Sequence, residues 1–103
     1  MNILLICSAG MSTSLLVTKM QKVAKELNFE CKIWAVSTDV ADENMQKADV
    51  VLLGPQIKFM AEALKAKGAR LRIPVDVIES SDYGTCNGKN VLKQALTLKK
   101  RNQ

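Results

Sequence analysis

The chain has no histidine among its 103 residues. That removes a Cys–His or Ser–His nucleophile pair, a histidine-ligated metal site and a phosphohistidine from the chemistry its own side chains can perform. Cysteine is scarce as well, present only at Cys7, Cys31 and Cys86. An odd count at wide spacing, with no C-x-x-C pair, signals neither a disulfide framework nor zinc nor thioredoxin-type chemistry. Four aromatic residues supply few stacking platforms for single-stranded nucleic acid. Two prolines and five glycines leave no visible linker, repeat or low-complexity tract. No apolar run approaches the length of a membrane span, so direct insertion is not expected. No basic segment precedes the first apolar run, so no signal peptide is read and a cytoplasmic location is expected.

What is present has the balance of a soluble globular protein, with 48% apolar and 24% charged residues. The length suits one core, and residues 1–103 are expected to form a single domain. Net charge is +5 and the isoelectric point is near 9.3. The cations are spread along the chain, with one cluster at Lys99, Lys100 and Arg101 that suits the last turn of a helix. Such charge reads mainly as solvated helix faces. It favours acidic partners and anionic ligands, with only the isoelectric point pointing to nucleic acid.

Asn2 to Ile6 is a short, continuous apolar run, as in a strand buried on both faces. Leu16, Met20, Val23, Ala24 and Leu27 then recur at spacings of three and four, predicting a helix from about Ser12 to Leu27 that Asn28 stops. Cys31 to Val36 reads as a second strand, after which Ser37 or Thr38 is placed to cap a short acidic helix. Asp49 to Leu53 is a third strand, ended by Gly54-Pro55. Pro55 suits the first position of the next helix, whose stripe is Ile57, Met60, Ala61 and Leu64, with Gly68 as its expected end. Pro74 to Ile78 is a fourth strand, residues 79–88 read as a loop, and about Lys89 to Lys100 is a last helix. The order βαβαβαβα predicts an α/β fold: a four-stranded parallel sheet with helices on both faces, a three-layer sandwich of Rossmann-like or low-molecular-weight tyrosine phosphatase-like type. Ligands in such sheets bind beyond the carboxyl ends of the strands. The loops at 7–14, 53–57 and 79–87 meet there.

The first of these loops carries the chemistry. Cys7 closes the first strand, and Ser8, Ala9, Gly10, Met11, Ser12, Thr13 and Ser14 follow. Small residues let the backbone curl so that several N–H groups converge on one spot, and the following helix adds its dipole. That field suits a thiolate and, on it, a phosphoryl group. An isolated cysteine at a strand end is more often a small buried hydrophobe. The seven residues after Cys7 turn the reading toward a nucleophile, whereas Cys31 and Cys86 keep the packing reading. The Walker tripeptide and the G-x-G-x-x-G pattern are both absent. The low-molecular-weight phosphatase loop needs arginine six residues after its cysteine, and Thr13 stands there. Without a bidentate clamp, hydrolysis of a thiophosphate is expected to be slow, a property that suits a carrier. No cofactor or metal is called for. Gln56 is a candidate for the rim of the cradle or a simple helix start. Tyr83 is a candidate partner contact or a packing residue, and Asp82 reads as a turn residue more readily than as an acid in a phosphatase-like scheme.

At these residues the chain resembles a known family. "CSAGMSTSLL" and "ADVVLLGPQI", with Tyr83-Gly84 and "VLKQAL" further on, are similar to the IIB component of the lactose/cellobiose class of the bacterial phosphoenolpyruvate-dependent sugar phosphotransferase system, on the side of its cellobiose/diacetylchitobiose branch. The resemblance implies a phosphocysteine at Cys7, a IIA protein donating from phosphohistidine, and a sugar bound by a membrane IIC protein as acceptor. The stretch "SSDYGTCNG" is less familiar for that family. Rival readings of the same residues are a phosphatase or arsenate reductase, and a redox sensor using Cys7.

Overall fold

The computed structural model describes residues 1–8 and 11–101, with the side chains of residues 11 and 12 outside that description. Four strands form one parallel sheet in the order β2-β1-β3-β4. They are β1 (Asn2–Cys7), β2 (Lys32–Ser37), β3 (Val50–Leu53) and β4 (Val75–Val77). The helices are α1 (Met11–Glu26), α2 (Ala41–Met45), α3 (Ala61–Leu71), α4 (Ser80–Gly84) and α5 (Gly88–Arg101). Two 3₁₀ stretches, Thr38–Val40 and Pro55–Met60, lead into α2 and α3.

β1 lies inside the sheet, paired with β2 from Asn2↔Lys32 to Cys7↔Ser37 and with β3 from Ile3↔Val50 to Ile6↔Leu53. That position explains its unbroken apolar sequence, since both its faces are covered. The pleat then sorts its side chains. Ile3 and Leu5 join Val50 and Leu52 under α1 and α5, packed on Leu16, Met20, Val91 and Leu92. Leu4 and Ile6 join Val51 and Leu53 on the opposite face, packed on Met45, Ile57 and Leu64 from the α2 and α3 side. Each large aliphatic side chain so buried contributes roughly 1.5–3 kcal/mol. The same alternation fixes the next residue: Cys7, two after Leu5, falls on the α1 side. A one-residue slip would turn its sulfur to the other face.

Two expectations need correcting. Residues 79–88 are not an open loop, because Ser80–Gly84 forms α4. Cys86, at φ 52°, closes it in the left-handed region. The Cys86 and Asn87 amides return to the carbonyls of Tyr83 and Asp82, the hydrogen-bond pattern of a Schellman cap. The Asn87 side chain then accepts from the Asn90 amide at 3.0 Å, capping the start of α5. Nor does Gly68 end its helix. α3 runs on to Leu71, and Arg72 takes the left-handed position at φ 60°, ψ 38°. Gly68 serves close approach instead: a Cβ there would lie 2.5 Å from both the Ile73 carbonyl oxygen and Val75 Cγ2. Asn28 ends α1 as expected, at φ 55°.

Smaller shifts follow from the same packing. β2 begins at Lys32 and β4 at Val75, one residue later than the apolar runs suggest. Pro55 does open the segment after β3, but that segment starts as 3₁₀, with Ile57 off helical geometry at φ −113°, ψ 24°. Among the described residues, no helix is long and apolar enough to cross a membrane.

Candidate active site

The carboxyl edge of the sheet brings together the ends of β1, β2 and β3. Cys7 is the last residue of β1 and is fully buried, with 0% of its surface exposed. Its Sγ lies 3.2 Å from the Thr13 hydroxyl, a hydrogen bond in which either atom can donate. It also lies 3.9 Å from the Val36 carbonyl oxygen, toward which an S–H can weakly donate. Thr13 is itself fully buried, the buried polar residue among the described side chains. It sits in the first turn of α1, on the stripe that continues with Leu16, Met20 and Ala24, so helix packing holds its hydroxyl against the sulfur.

The chemistry follows from that pairing. A neutral thiol can accept from Thr13 and donate to Val36. A thiolate can only accept, so the Thr13 O–H becomes its donor and the Val36 carbonyl loses its proton partner. The hydroxyl is therefore worth more to the anion than to the thiol. The helix adds to this: α1 has 16 residues, no acidic side chain in its first turn and Lys25 in its last. No acidic side chain of the helix's own first turn offsets its positive end, which favours negative charge.

Gly54, at the end of β3, forms the opposite wall. Its amide donates to the Ile6 carbonyl at 2.8 Å. A Cβ at this position would lie 3.5 Å from Cys7 Cβ and 2.8 Å from Gln56 Oε1. The bare glycine thus lets the Gln56 side chain fold back over the strand end beside Cys7. Gln56 itself is exposed. Gly54 read in sequence only as a strand terminator, and its role as a wall was missed. The signal available was a glycine at the end of the strand next to the cysteine-bearing one.

The other candidates are distributed as follows. Ser8 and Ser14 are exposed next to the buried pair. Ala9 and Gly10 lie outside the described residues, and Met11 and Ser12 are described only as the backbone opening α1. Tyr83, on α4, is half-buried against the core beneath α1 and α5. Asp82 accepts from the Asn90 side chain at 3.0 Å and helps join α4 to α5. Cys31 lies at the opposite, amino edge of the sheet. Burial pushes its thiol above the usual range, against a smaller downward pull from the chain's amino terminus. No cluster of three or more metal-ligating side chains occurs among the described residues.

Comparison with known proteins places this arrangement. Residues 2–94 match the family described as "PTS system, Lactose/Cellobiose specific IIB subunit". The chain is 50% identical over 96 residues to an oligo-beta-mannoside-specific EIIB component of Bacillus subtilis, covering 93% of each. The solution structure of a cellobiose-specific phosphotransferase IIB component from Borrelia burgdorferi superposes with a TM-score of 0.83 at 41% identity, covering 100% of this chain and 94% of that one. A lactose-specific EIICB component of Lactococcus lactis is 29% identical over 82 residues, which span 80% of this chain and 14% of that longer protein.

Proposed function

The chain belongs to the lactose/cellobiose-specific IIB family, and from that premise we propose that residues 1–103 act as one unit that carries a phosphoryl group on Cys7. The single observation behind this is the sulfur of Cys7, 3.2 Å from a wholly buried Thr13 hydroxyl in the first turn of α1. In the first step the thiolate forms an S–P bond and the P–N bond of a phosphohistidine on a IIA protein breaks. The imidazole leaves with the electron pair and regains a proton. In the second, a sugar hydroxyl bound by a membrane IIC protein forms an O–P bond and the S–P bond breaks. Cys7 takes back the electron pair as thiolate, and a base on the partner accepts the hydroxyl proton.

Each nearby residue has a part in this. Thr13 stabilises the sulfur whenever it carries negative charge, as attacking and as leaving group. Ser8, Ala9, Gly10, Met11, Ser12 and Ser14 supply the phosphate cradle, with Gln56 at its rim. At position 13 a neutral hydroxyl replaces the guanidinium that a phosphatase would place on the phosphate, so the thiophosphate lasts until an acceptor docks. The IIC partner is supported by the EIICB relative, in which a matching segment is part of a longer chain. The names of the relatives support a β-linked disaccharide or oligosaccharide as the sugar. The work is done at the cytoplasmic face of the membrane.

Incubation with phosphoenolpyruvate, the general phosphotransfer proteins and a IIA protein tests the reading. The intact mass should rise by one phosphoryl group, and Cys7→Ser should abolish the gain. Steady turnover of p-nitrophenyl phosphate by the chain alone would replace the carrier with a phosphatase.

A further inference from the structure

Charge is divided unevenly over this molecule. α1 and α5 pack side by side on one face of the sheet, sharing the core of Leu16, Met20, Val91 and Leu92. Together their sequences hold eight of the chain's fifteen cations and one of its ten acidic residues, Glu26. Their balance is +7 where the whole chain is +5, which leaves −2 for everything else. The cations point outward: Lys19, Lys22, Lys89, Lys93, Lys100 and Arg101 are all exposed. Among the described residues, the ion pairs Lys65–Asp76 and Lys67–Asp42 both use lysines of α3, on the other side of the sheet.

We propose that the α1/α5 face is a docking surface for an anionic phospholipid bilayer. Four features of the face favour lipid over an acidic protein or RNA. Seven of its eight cations are lysines. Lysine is a flexible point charge, suited to a diffuse field of headgroups, whereas paired recognition of carboxylates or phosphates favours arginine. The charges are spread along a helix of 14 residues, about 21 Å of length, and are not gathered around one pocket. Leu15 lies 55% exposed on the same side of α1 as Lys19 and Lys22, an apolar side chain able to enter the headgroup boundary while the lysines snorkel. Only four residues of the chain are aromatic, so the stacking that RNA binding uses is poorly provided. The negative remainder of the molecule orients it, since an anionic surface attracts one face and repels the other.

The orientation has a use that rests on the carrier reading above. With α1 and α5 against the bilayer, the sheet lies parallel to the membrane and the Cys7 edge faces along it. That is where the cytoplasmic surface of a membrane-embedded acceptor would be met. Adsorption confines the search for that acceptor to two dimensions.

Binding to vesicles of equal parts phosphatidylglycerol and phosphatidylcholine, read by co-sedimentation, tests the proposal without any phosphoryl transfer. The full chain should sediment with these vesicles at low salt, release as salt rises, and ignore vesicles of phosphatidylcholine alone. A lysine near an anionic surface raises the partition coefficient about fivefold. Lys89→Gln, Lys93→Gln and Lys100→Gln together should therefore lower it about 100-fold, while uptake of phosphoryl from the soluble donor is unchanged. Absence of binding to the anionic vesicles at low salt would overturn the proposal, as would a triple variant that binds as well as the parent. It would equally be overturned if the triple variant instead lost phosphoryl uptake from the soluble IIA protein, or if RNA displaced the chain from vesicles at equal charge. Failure of Cys7 to take up phosphoryl would leave the vesicle result standing, so the two readings fall separately.

Discussion

Thr13→Val removes a hydroxyl that lies 3.2 Å from the Cys7 sulfur. Valine keeps the shape and the buried position on the α1 stripe. Because Thr13 is 0% exposed, no bulk water is positioned to replace the lost donor. A neutral hydrogen bond contributes about 0.5–1.5 kcal/mol and one to a charged group about 1.5–3 kcal/mol. In the proposed relay the attacking species is the anion, so the quantity that matters is the difference, about 1–1.5 kcal/mol, or roughly a 5- to 15-fold loss of rate. Rapid-quench measurement of phosphoryl uptake from a phosphorylated IIA protein reads this directly. Thr13→Ser, which keeps the hydroxyl and loses only a methyl group, should recover most of the rate. Thermal melting of both variants separates a chemical loss from a folding loss. If valine leaves the uptake rate at its parent value, or if serine is as slow as valine, the hydroxyl does not act on the sulfur.

Three further outcomes follow from the fold. Gly68→Ala should destabilise the chain by about 1–3 kcal/mol in urea unfolding, because its Cβ would meet the Ile73 carbonyl at 2.5 Å. Asn87→Ala should cost about 1 kcal/mol by removing the cap on the Asn90 amide, whereas an equal stability would mean the cap is idle. Cys31 should resist deprotonation in the folded chain, because burial raises its thiol. The sign runs against stability at high pH: the contribution is complete below the ordinary thiol range near 8.5 and is lost as pH climbs through the raised value. Peptide-resolved alkylation should show the Cys31 profile displaced upward in native protein relative to protein in urea. Coincident profiles would contradict the burial argument.

Much of the fold was legible because buried parallel strands announce themselves. The apolar runs of NILLI and VVLL lie in β1 and β3, the two strands covered by neighbours on both sides. Asn28 was readable as a stop because asparagine tolerates the left-handed region. Arg72 and Cys86 were not, since nothing in their chemistry favours that conformation; tertiary packing imposes it. Gly68 misled for the complementary reason. Its missing side chain serves contact with Ile73 and Val75, a demand set by residues that are near in space but not helical neighbours. α4 escaped notice because its five residues are too few to show a period.

The site divides in the same way. Cys7 and Thr13 were marked by position and by their small neighbours, and the pleat brings them together on the α1 side. That Thr13 would face sulfur was not readable, because it depends on the register of β1 and on how α1 packs. Gly54 as a wall and the Val36 carbonyl as a second neighbour of the sulfur come from strands distant in sequence, so no local pattern could reveal them.

The most direct test follows one phosphoryl group through the relay. The chain is loaded with labelled phosphoryl from phosphoenolpyruvate through the IIA protein, isolated, and chased with buffer, with membranes bearing the IIC protein, or with those membranes plus sugar. Label is expected on the Cys7 peptide, with slow loss to buffer and rapid transfer to sugar only when membranes and sugar are both present. Label on any other residue, or release as inorganic phosphate in buffer as fast as transfer to sugar, would contradict it.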